Sequence, residues 1–412
     1  MEFFDKLETR EPALREAEQF AALRRQLANA QAKAPYFARV LAGVRAEDIK
    51  DRAALAALPV TRKSDLIELQ KVAPPFAGMT AATPAALGRV FMSPGPMFDP
   101  EGRRADYWRL ARAMHAAGFR AGELVHNTFS YHFTPAGFMA DMGAHALGCP
   151  VFPGGTGQTE MQVAAMASLK PACYIGTPSF LRIILEKADE LKADLSSIKK
   201  ALVSAEALPA ALRAWLNARG VGTLQCYAIA DLGLVAYESA AQEGMIVDEG
   251  VIVELVRPGT GEPVAAGEVG EVVVTTLTPE YPLIRFATGD LSATLAGPSP
   301  CGRTNMRIKG WLGRADQTAK VKGMFVKPSQ IADVARRHPE IRKYRLVIAH
   351  DAKKADCMTL HCEITGAGSP ALAAAIAVTL RDVCNLRGDV AFDAAGALPN
   401  DGKVIDDVRK YD

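Results

Sequence analysis

At 412 residues the chain is too long for one ordinary hydrophobic core, so two domains are expected. Hydrophobic residues at 49% and charged residues at 23% fit a soluble globular protein, and a net charge of +2 with both signs interspersed excludes a clustered basic nucleic-acid surface. The opening Met-Glu-Phe-Phe-Asp-Lys-Leu-Glu is too acidic and broken for a signal peptide, and no apolar run reaches the ~20 residues that span a bilayer. Seven scattered cysteines, an odd number without close pairing, point to reduced thiols in a cytoplasm.

Residues 1–75 carry helical periodicity with breaks at Pro35 and Pro59, which predicts a helical cap. Pro59-Val-Thr-Arg-Lys-Ser-Asp-Leu predicts a turn and a helix capped by Thr61 or Ser64. A strand over Arg89–Met92 opens into Ser93-Pro94-Gly95-Pro96-Met97-Phe98-Asp99-Pro100, where each proline deletes an N–H donor. A helix over Ala105–Ala117 and a βα unit over 124–137 follow. In that unit Phe129, Tyr131 and Phe133 alternate as on a strand face, a pattern open to core packing or to a ligand wall. Gly154-Gly155-Thr-Gly157-Gln158-Thr159-Glu160 is a glycine-rich βα turn. Strand–turn–helix recurs at 171–183, with a Thr or Ser cap, and at 201–209.

This alternation through 86–240 predicts an α/β fold, with a largely parallel sheet, helices on both faces and ligands at the strands' carboxyl ends. Residues 246–295 predict a β-meander closing in the strand before Thr288-Gly289-Asp290. A carboxylate at such a turn can accept two hydrogen bonds from a sugar diol, although Gly-Asp is also a common turn dipeptide. After Asp316 come a strand pair, a helix over Ser329–Arg337 and strands near Tyr344–His350 and Cys357–Ile364. A helix over Ser369–Cys384 and a final strand complete a small α+β domain of 316–412, following a first domain of 1–315.

The spacing of Thr288-Gly-Asp-Leu, Gly313-Arg-Ala-Asp and Lys322-Gly323 resembles the adenylate-forming (acyl-CoA synthetase and luciferase-like) superfamily. Leu58-Pro-Val-Thr-Arg-Lys-Ser-Asp-Leu is similar to the Leu-Pro-x-Thr-x-Lys-x-Asp-Leu lead-in of phenylacetate–CoA ligases. Gly154–Glu160 resembles that family's Gly-Gly-Gln-Thr-Glu with one residue inserted. The resemblance covers nearly the whole chain and implies roles. Asp290 would hold the ATP ribose, with Arg314 and Lys322 nearby in the nucleotide site. Asp316 would be the hinge of a swinging C-terminal lid. The turn Ser204-Ala205-Glu206 would lie beside adenine, and Tyr227, followed by Ala228, would stack on it. Phe129, Tyr131 and Phe133 with Gly154 and Gly155 would form an aryl-acid pocket. Lys403, in Leu398-Pro-Asn-Asp-Gly-Lys-Val-Ile, would bind the carboxylate and α-phosphate oxygens during adenylation.

Departures from the family pattern concentrate where ATP is gripped. The family's phosphate loop is Ser-Ser-Gly-Thr-Thr-Gly-Lys-Pro; Ser93, Gly95 and Pro100 match, but both Thr hydroxyls are gone, Phe98 replaces a Gly and Asp99 replaces the Lys. Each lost donor or hydroxyl weakens phosphate binding by on the order of 1 kcal/mol, and an acidic Asp99 adds repulsion. Asp231 stands for the family's Mg²⁺-binding Glu, one methylene shorter. The family's structural zinc site is replaced by Ser239, Met245 and Ser299, leaving Cys301, so no zinc is expected.

The resemblance therefore implies an ATP-dependent carboxylic acid–CoA ligase acting on an aryl or arylacetyl acid such as phenylacetate. Its cofactors would be ATP, Mg²⁺ and coenzyme A, and it would be a cytoplasmic homodimer. The rival reading is a catalytically impaired homologue that binds nucleotide, acid or CoA ester without turnover.

Overall fold

The computed structural model describes residues 2–93, 97–257, 261–315, 319–322, 324–350, 356–399 and 404–409. By its internal contacts the chain forms two compact units, one of Met1–Thr288 and Ser292–Trp311, the other of Gly289–Leu291 and Leu312–Asp412.

The first unit is α/β. Strands Val151–Pro153, Val125–Asn127, Cys173–Gly176, Lys200–Val203 and Gly222–Ile229 lie side by side in that order, all parallel. Each is followed in sequence by a helix on one face or the other, except the last, which turns back through an antiparallel partner, Gly233–Glu238. The strands are short and apolar because both faces are covered. Helix Pro178–Leu191 starts where Thr177 accepts the Phe180 N–H at 3.3 Å, the cap expected at this turn. The meander follows as Met245–Val247, Val251–Val256, Val269–Thr276 and Phe286–Leu295. Its buried Val and Ile residues pack against helix Pro12–Lys33 through Phe20, Leu23 and Leu27. Among the described residues no helix is long and apolar enough to cross a membrane. All seven cysteines are free.

Three local expectations change. Thr61 caps no helix: it opens the short strand Thr61–Arg62, parallel to Phe286–Ala287, and the next helix, Leu66–Val72, has no side-chain cap. The helix expected from Ala105 begins only at Leu110, since Asp106 and Arg109 adopt positive φ of 47° and 66° and break the apolar repeat. The alternation at 129–133 is not a strand face; the strand ends at Asn127 and the chain loops to helix Ala136–Ala146.

Asp106 Oδ2 accepts the Ala111 N–H in the first turn of that shortened helix at 3.2 Å, while its other oxygen, Oδ1, is shut off from water without a partner and feels the Asp248 carboxylate. Burial, opposed in part by the Ala111 hydrogen bond, pushes its carboxyl from 3.8 to about 7. A carboxylate raised this way binds more protons folded than unfolded between those values, so its contribution to stability falls as pH rises from 4 to 7. Asp106→Asn keeps the cap acceptor and removes the charge. It is expected to stabilise the protein by on the order of 2–4 kcal/mol at pH 8 and by almost nothing at pH 4. Urea unfolding at the two pH values checks this; equal gains at both would refute it.

In the second unit, strands Asp389–Asp393, Asp356–Ile364, Ile341–His350 and Ile405–Asp407 form a sheet in that order. Helices Pro328–Arg337 and Pro370–Cys384 enclose a core including Leu346, Leu360, Ile376 and Leu380.

Candidate active site

In α/β sheets ligands gather at the carboxyl ends of parallel strands, and there the first unit has a cavity of about 160 Å³. Ser93, Phe129, Met139, Ile175, Ser204 and Ala228 are among its lining residues, which include no charged side chain. A larger hollow of about 520 Å³, between helix Pro12–Lys33 and the meander, shares no lining residue with it, and its three arginines are already paired, Arg15 with Glu249, Arg52 with Glu16 and Arg307 with Glu243.

The strand–turn–helix repeats build the cavity wall. The Ser204 N–H donates to the Gly176 carbonyl at 3.2 Å and its hydroxyl to the Cys226 carbonyl at 2.8 Å, which pins this turn between two strands. Ala205 takes φ 68°, a strained backbone for a residue with a Cβ, and Glu206 points to solvent. Tyr227 is 9% exposed and its hydroxyl donates to Thr288 Oγ1 at 3.3 Å, so its ring belongs to the core cluster. Ser93 ends strand Leu87–Ser93 with its hydroxyl toward the Met97 carbonyl at 3.4 Å.

Of the three alternating aromatics only Phe129 lines the cavity. The Tyr131 hydroxyl donates to Asp141 at 2.6 Å and accepts from Asn127 at 2.7 Å, which fixes it as a brace for the loop. Burial, then Asp141, push its phenol up. Phe133 is 72% exposed at φ 64°, and its carbonyl receives the Met92 N–H. Gly154 and Gly155 do not line the cavity either. The Gln162 amide donates to the carbonyls of Gly154, Gly155 and Gly157 at 3.0–3.2 Å, and its oxygen meets His126 Nε2 at 2.6 Å. A Cβ on Gly154 would lie 2.4 Å from that oxygen, so glycine is required by the clasp.

Asp99 corrects an expectation. It does not sit in an open loop: it lies in strand Met97–Gly102 opposite Phe91, fully buried on the same face as Met97. Asp231, also buried, is bound by the Lys63 ammonium at 2.5 Å. Burial first, then the Asp231 carboxylate, push Asp99 well above the usual carboxylate range. The pairing joins residues far apart in sequence; the only local sign of it is the shared parity of Met97 and Asp99. Lys63, part of the Leu-Pro lead-in, is the cation of this buried pair.

At the other departure, burial raises the Cys301 thiol, but hydrogen bonds involving Ser239, Ser299 and Arg303 outweigh it and leave the thiol below its ordinary value. Ser299 Oγ is 3.1 Å from the sulfur. Among the described residues no group of three or more His, Cys, Asp and Glu could hold a metal ion.

In the second unit Asp290 pairs in register with Arg314, whose Nη1 is 3.2 Å from Asp290 Oδ1. Gly289, at φ 76°, admits this approach, because a Cβ there would lie 2.8 Å from Arg314 Nη2. Lys322, at φ 49°, donates its backbone N–H to Asp356 at 2.8 Å with an exposed side chain. Gly95, Asp316 and Lys403 lie outside the described residues.

A family model described as AMP-binding enzyme matches residues 107–278, which hold the five parallel strands and every cavity-lining residue but Ser93. In fold the chain matches an open conformation of a 2-hydroxyisobutyryl-CoA ligase in complex with 2-HIB-AMP and CoA. The TM-score is 0.82 over 97% of this chain and 93% of that one, at 24% identity. The fold is that of the adenylate-forming enzymes.

Similarity in sequence narrows this. The chain is 31% identical over 337 residues to a phenylacetate-coenzyme A ligase of Aromatoleum evansii, covering 78% of this chain and 75% of that protein. It is 30% identical over 347 residues to the phenylacetate-coenzyme A ligase of Thermus thermophilus, covering 80% and 77%. The chain belongs to the phenylacetate–CoA ligase family of adenylate-forming acid–CoA ligases.

Proposed function

We propose that this chain activates an aryl or arylacetyl acid, phenylacetate being the simplest fit, with ATP and passes the acyl group to coenzyme A. The observation that carries the substrate class is the uncharged cavity of about 160 Å³ at the strand ends. An apolar cavity of roughly 150 Å³ holds one benzene ring, so this one takes a single ring and little more. The carboxylate would be left at the rim.

The chemistry is two displacements. A carboxylate oxygen attacks the α-phosphorus and pyrophosphate leaves, forming the acyl-adenylate. The CoA thiolate then attacks the acyl carbonyl and AMP leaves. Asp290 is suited to accept the ribose hydroxyls, and Arg314 orients it. The Ser204-Ala205 turn borders the ring cavity and would hold the acyl-adenylate's position. Lys403 would neutralise charge on the carboxylate and α-phosphate. Asp231 would hold Mg²⁺ through Oδ1, the oxygen the Lys63 ammonium leaves free, since Lys63 is committed to Oδ2. When bound, the ion would shield phosphate charge.

The test is pyrophosphate release from ATP over a panel of carboxylic acids, with calorimetric ATP titration beside it. Release with arylacetates, and less with long-chain acids, is expected. ATP binding without release for any acid would favour the rival reading, binding without turnover, which the altered loop at 93–100 supports. A narrower check is Ala228→Leu, which puts bulk into the cavity. It is expected to raise KM for phenylacetate by about 10-fold or more while sparing acetate. An unchanged KM ratio would remove the cavity from the substrate site.

A further inference from the structure

One wall of the cavity is fixed by a side chain that does not reach it. Phe129, Thr134 and Pro135 line the cavity and lie on the connection between strand Val125–Asn127 and helix Ala136–Ala146. Asn127 ends that strand, is fully buried and is not a lining residue. Its side-chain oxygen accepts the Phe129 N–H at 3.0 Å, at the start of the connection. Its amide nitrogen donates to the Gly137 carbonyl at 2.9 Å, at the far end. The same nitrogen donates to the Tyr131 hydroxyl at 2.7 Å and lies 3.0 Å from Asp141 Oδ1. A backbone N–H only donates and a carbonyl only accepts, so this amide has one possible orientation.

One buried amide therefore grips both ends of the loop and, through Tyr131, its middle. The loop it closes is a strained one. Phe133 holds φ 64°, and its carbonyl receives the Met92 N–H at 2.9 Å, next to Ser93 on the cavity's rim. A bulky residue persists in such a conformation only where its surroundings over-determine it. Aspartate would have the shape of Asn127 without its N–H groups. It would set an oxygen against the Gly137 carbonyl and a second negative charge beside Asp141, leaving buried acceptors unpaired.

We propose that Asn127 is a positioning residue for the acid: it holds the cavity wall in the shape that selects a single ring, without touching the substrate. A wall that shifts by about 1 Å misplaces the ring, and with it the carboxylate at the rim, an error that can cost about 10²-fold in rate. This deepens the ligase reading and rests on it for the identity of the acid, though not for the dependence of the wall on Asn127.

The experiment is calorimetric titration of the full chain with phenylacetate and with the two-ring 1-naphthylacetate, with pyrophosphate release measured beside it. Asn127→Asp is expected to weaken phenylacetate binding by about 10-fold or more and to lower the preference for the single ring by a similar factor. Exchanging the pair, Asn127→Asp with Asp141→Asn, returns a donor to the network and should recover about threefold of that loss. Thermal unfolding shows which variants are folded. Tyr131→Phe takes one hydroxyl from the same network and should cost about threefold in the same direction, which supplies the reading if Asn127→Asp does not fold. Wild-type affinity and preference in the folded variants overturn the proposal. So does an equal loss for both acids, or a wild type that binds no phenylacetate. A selective loss in a protein that releases no pyrophosphate with any acid supports the role of Asn127 and sinks the ligase reading. Pyrophosphate release with phenylacetate that Asn127→Asp leaves unchanged does the reverse.

Discussion

Replacing Lys403 with alanine is expected to slow acyl-adenylate formation by about 10²–10³-fold, the cost of losing one charge-stabilising donor in a transition state. Negative charge grows on the oxygens around the α-phosphorus as the carboxylate attacks and pyrophosphate departs, and an ammonium there is worth most at that moment. In the second half-reaction the bond to phosphorus is already made, and the charge develops on the acyl carbonyl. Transfer from supplied phenylacetyl-adenylate to CoA should therefore stay within about threefold of wild type. Single-turnover measurement of each half separates the two. Equal losses in both would mean that Lys403 holds the adenylate generally, and its assignment to adenylation would fall.

The α/β alternation was legible because each strand–helix step from Val125 to Ile229 carries its own period and turn chemistry. Thr177 is one such signal, a cap readable from four consecutive residues. Sequence and structure part where local pattern and tertiary packing disagree. Phe129, Tyr131 and Phe133 alternate like a strand, but the Asn127 side chain accepts the Phe129 N–H at 3.0 Å and turns the backbone out of the sheet. The three rings then go to cavity wall, loop brace and solvent. The glycine run at 154–157 read as a ligand turn because nothing local announces that Gln162 will fill it. Asp99 read as a loop residue because its partners, Asp231 and Lys63, are distant in sequence. Periodicity carries helices and strands; it does not carry which buried charge meets which.

Arg285 illustrates the same limit and gives the largest expected effect on stability. It reads as the first residue of the Arg-Phe-Ala-Thr-Gly-Asp motif, yet it is 1% exposed and holds φ 45°. Its guanidinium donates to Glu254 Oε2 at 3.0 Å, to the carbonyls of Ala56 and Leu58, and to the Gly261 carbonyl at 2.7 Å. One side chain thus ties the N-terminal helical segment to the meander. Arg285→Met fills much of the volume but leaves Glu254 buried without its cation and three carbonyls without donors. The expected loss is about 3–5 kcal/mol, the usual cost of breaking one partner from a buried pair. Glu254 is already raised above its ordinary pKa, with burial outweighing Arg285, and losing the arginine would raise it further. The variant's Glu254 therefore takes up a proton as pH falls, and the loss should be smaller at pH 5 than at pH 8. Adding Glu254→Gln removes the stranded charge and should recover about 1–3 kcal/mol at pH 8 and little at pH 5. Urea unfolding of the two single variants and the double variant at both pH values measures each quantity. A loss independent of pH, or a double variant no better than Arg285→Met, would show that the carbonyl contacts, rather than the ion pair, make Arg285 indispensable.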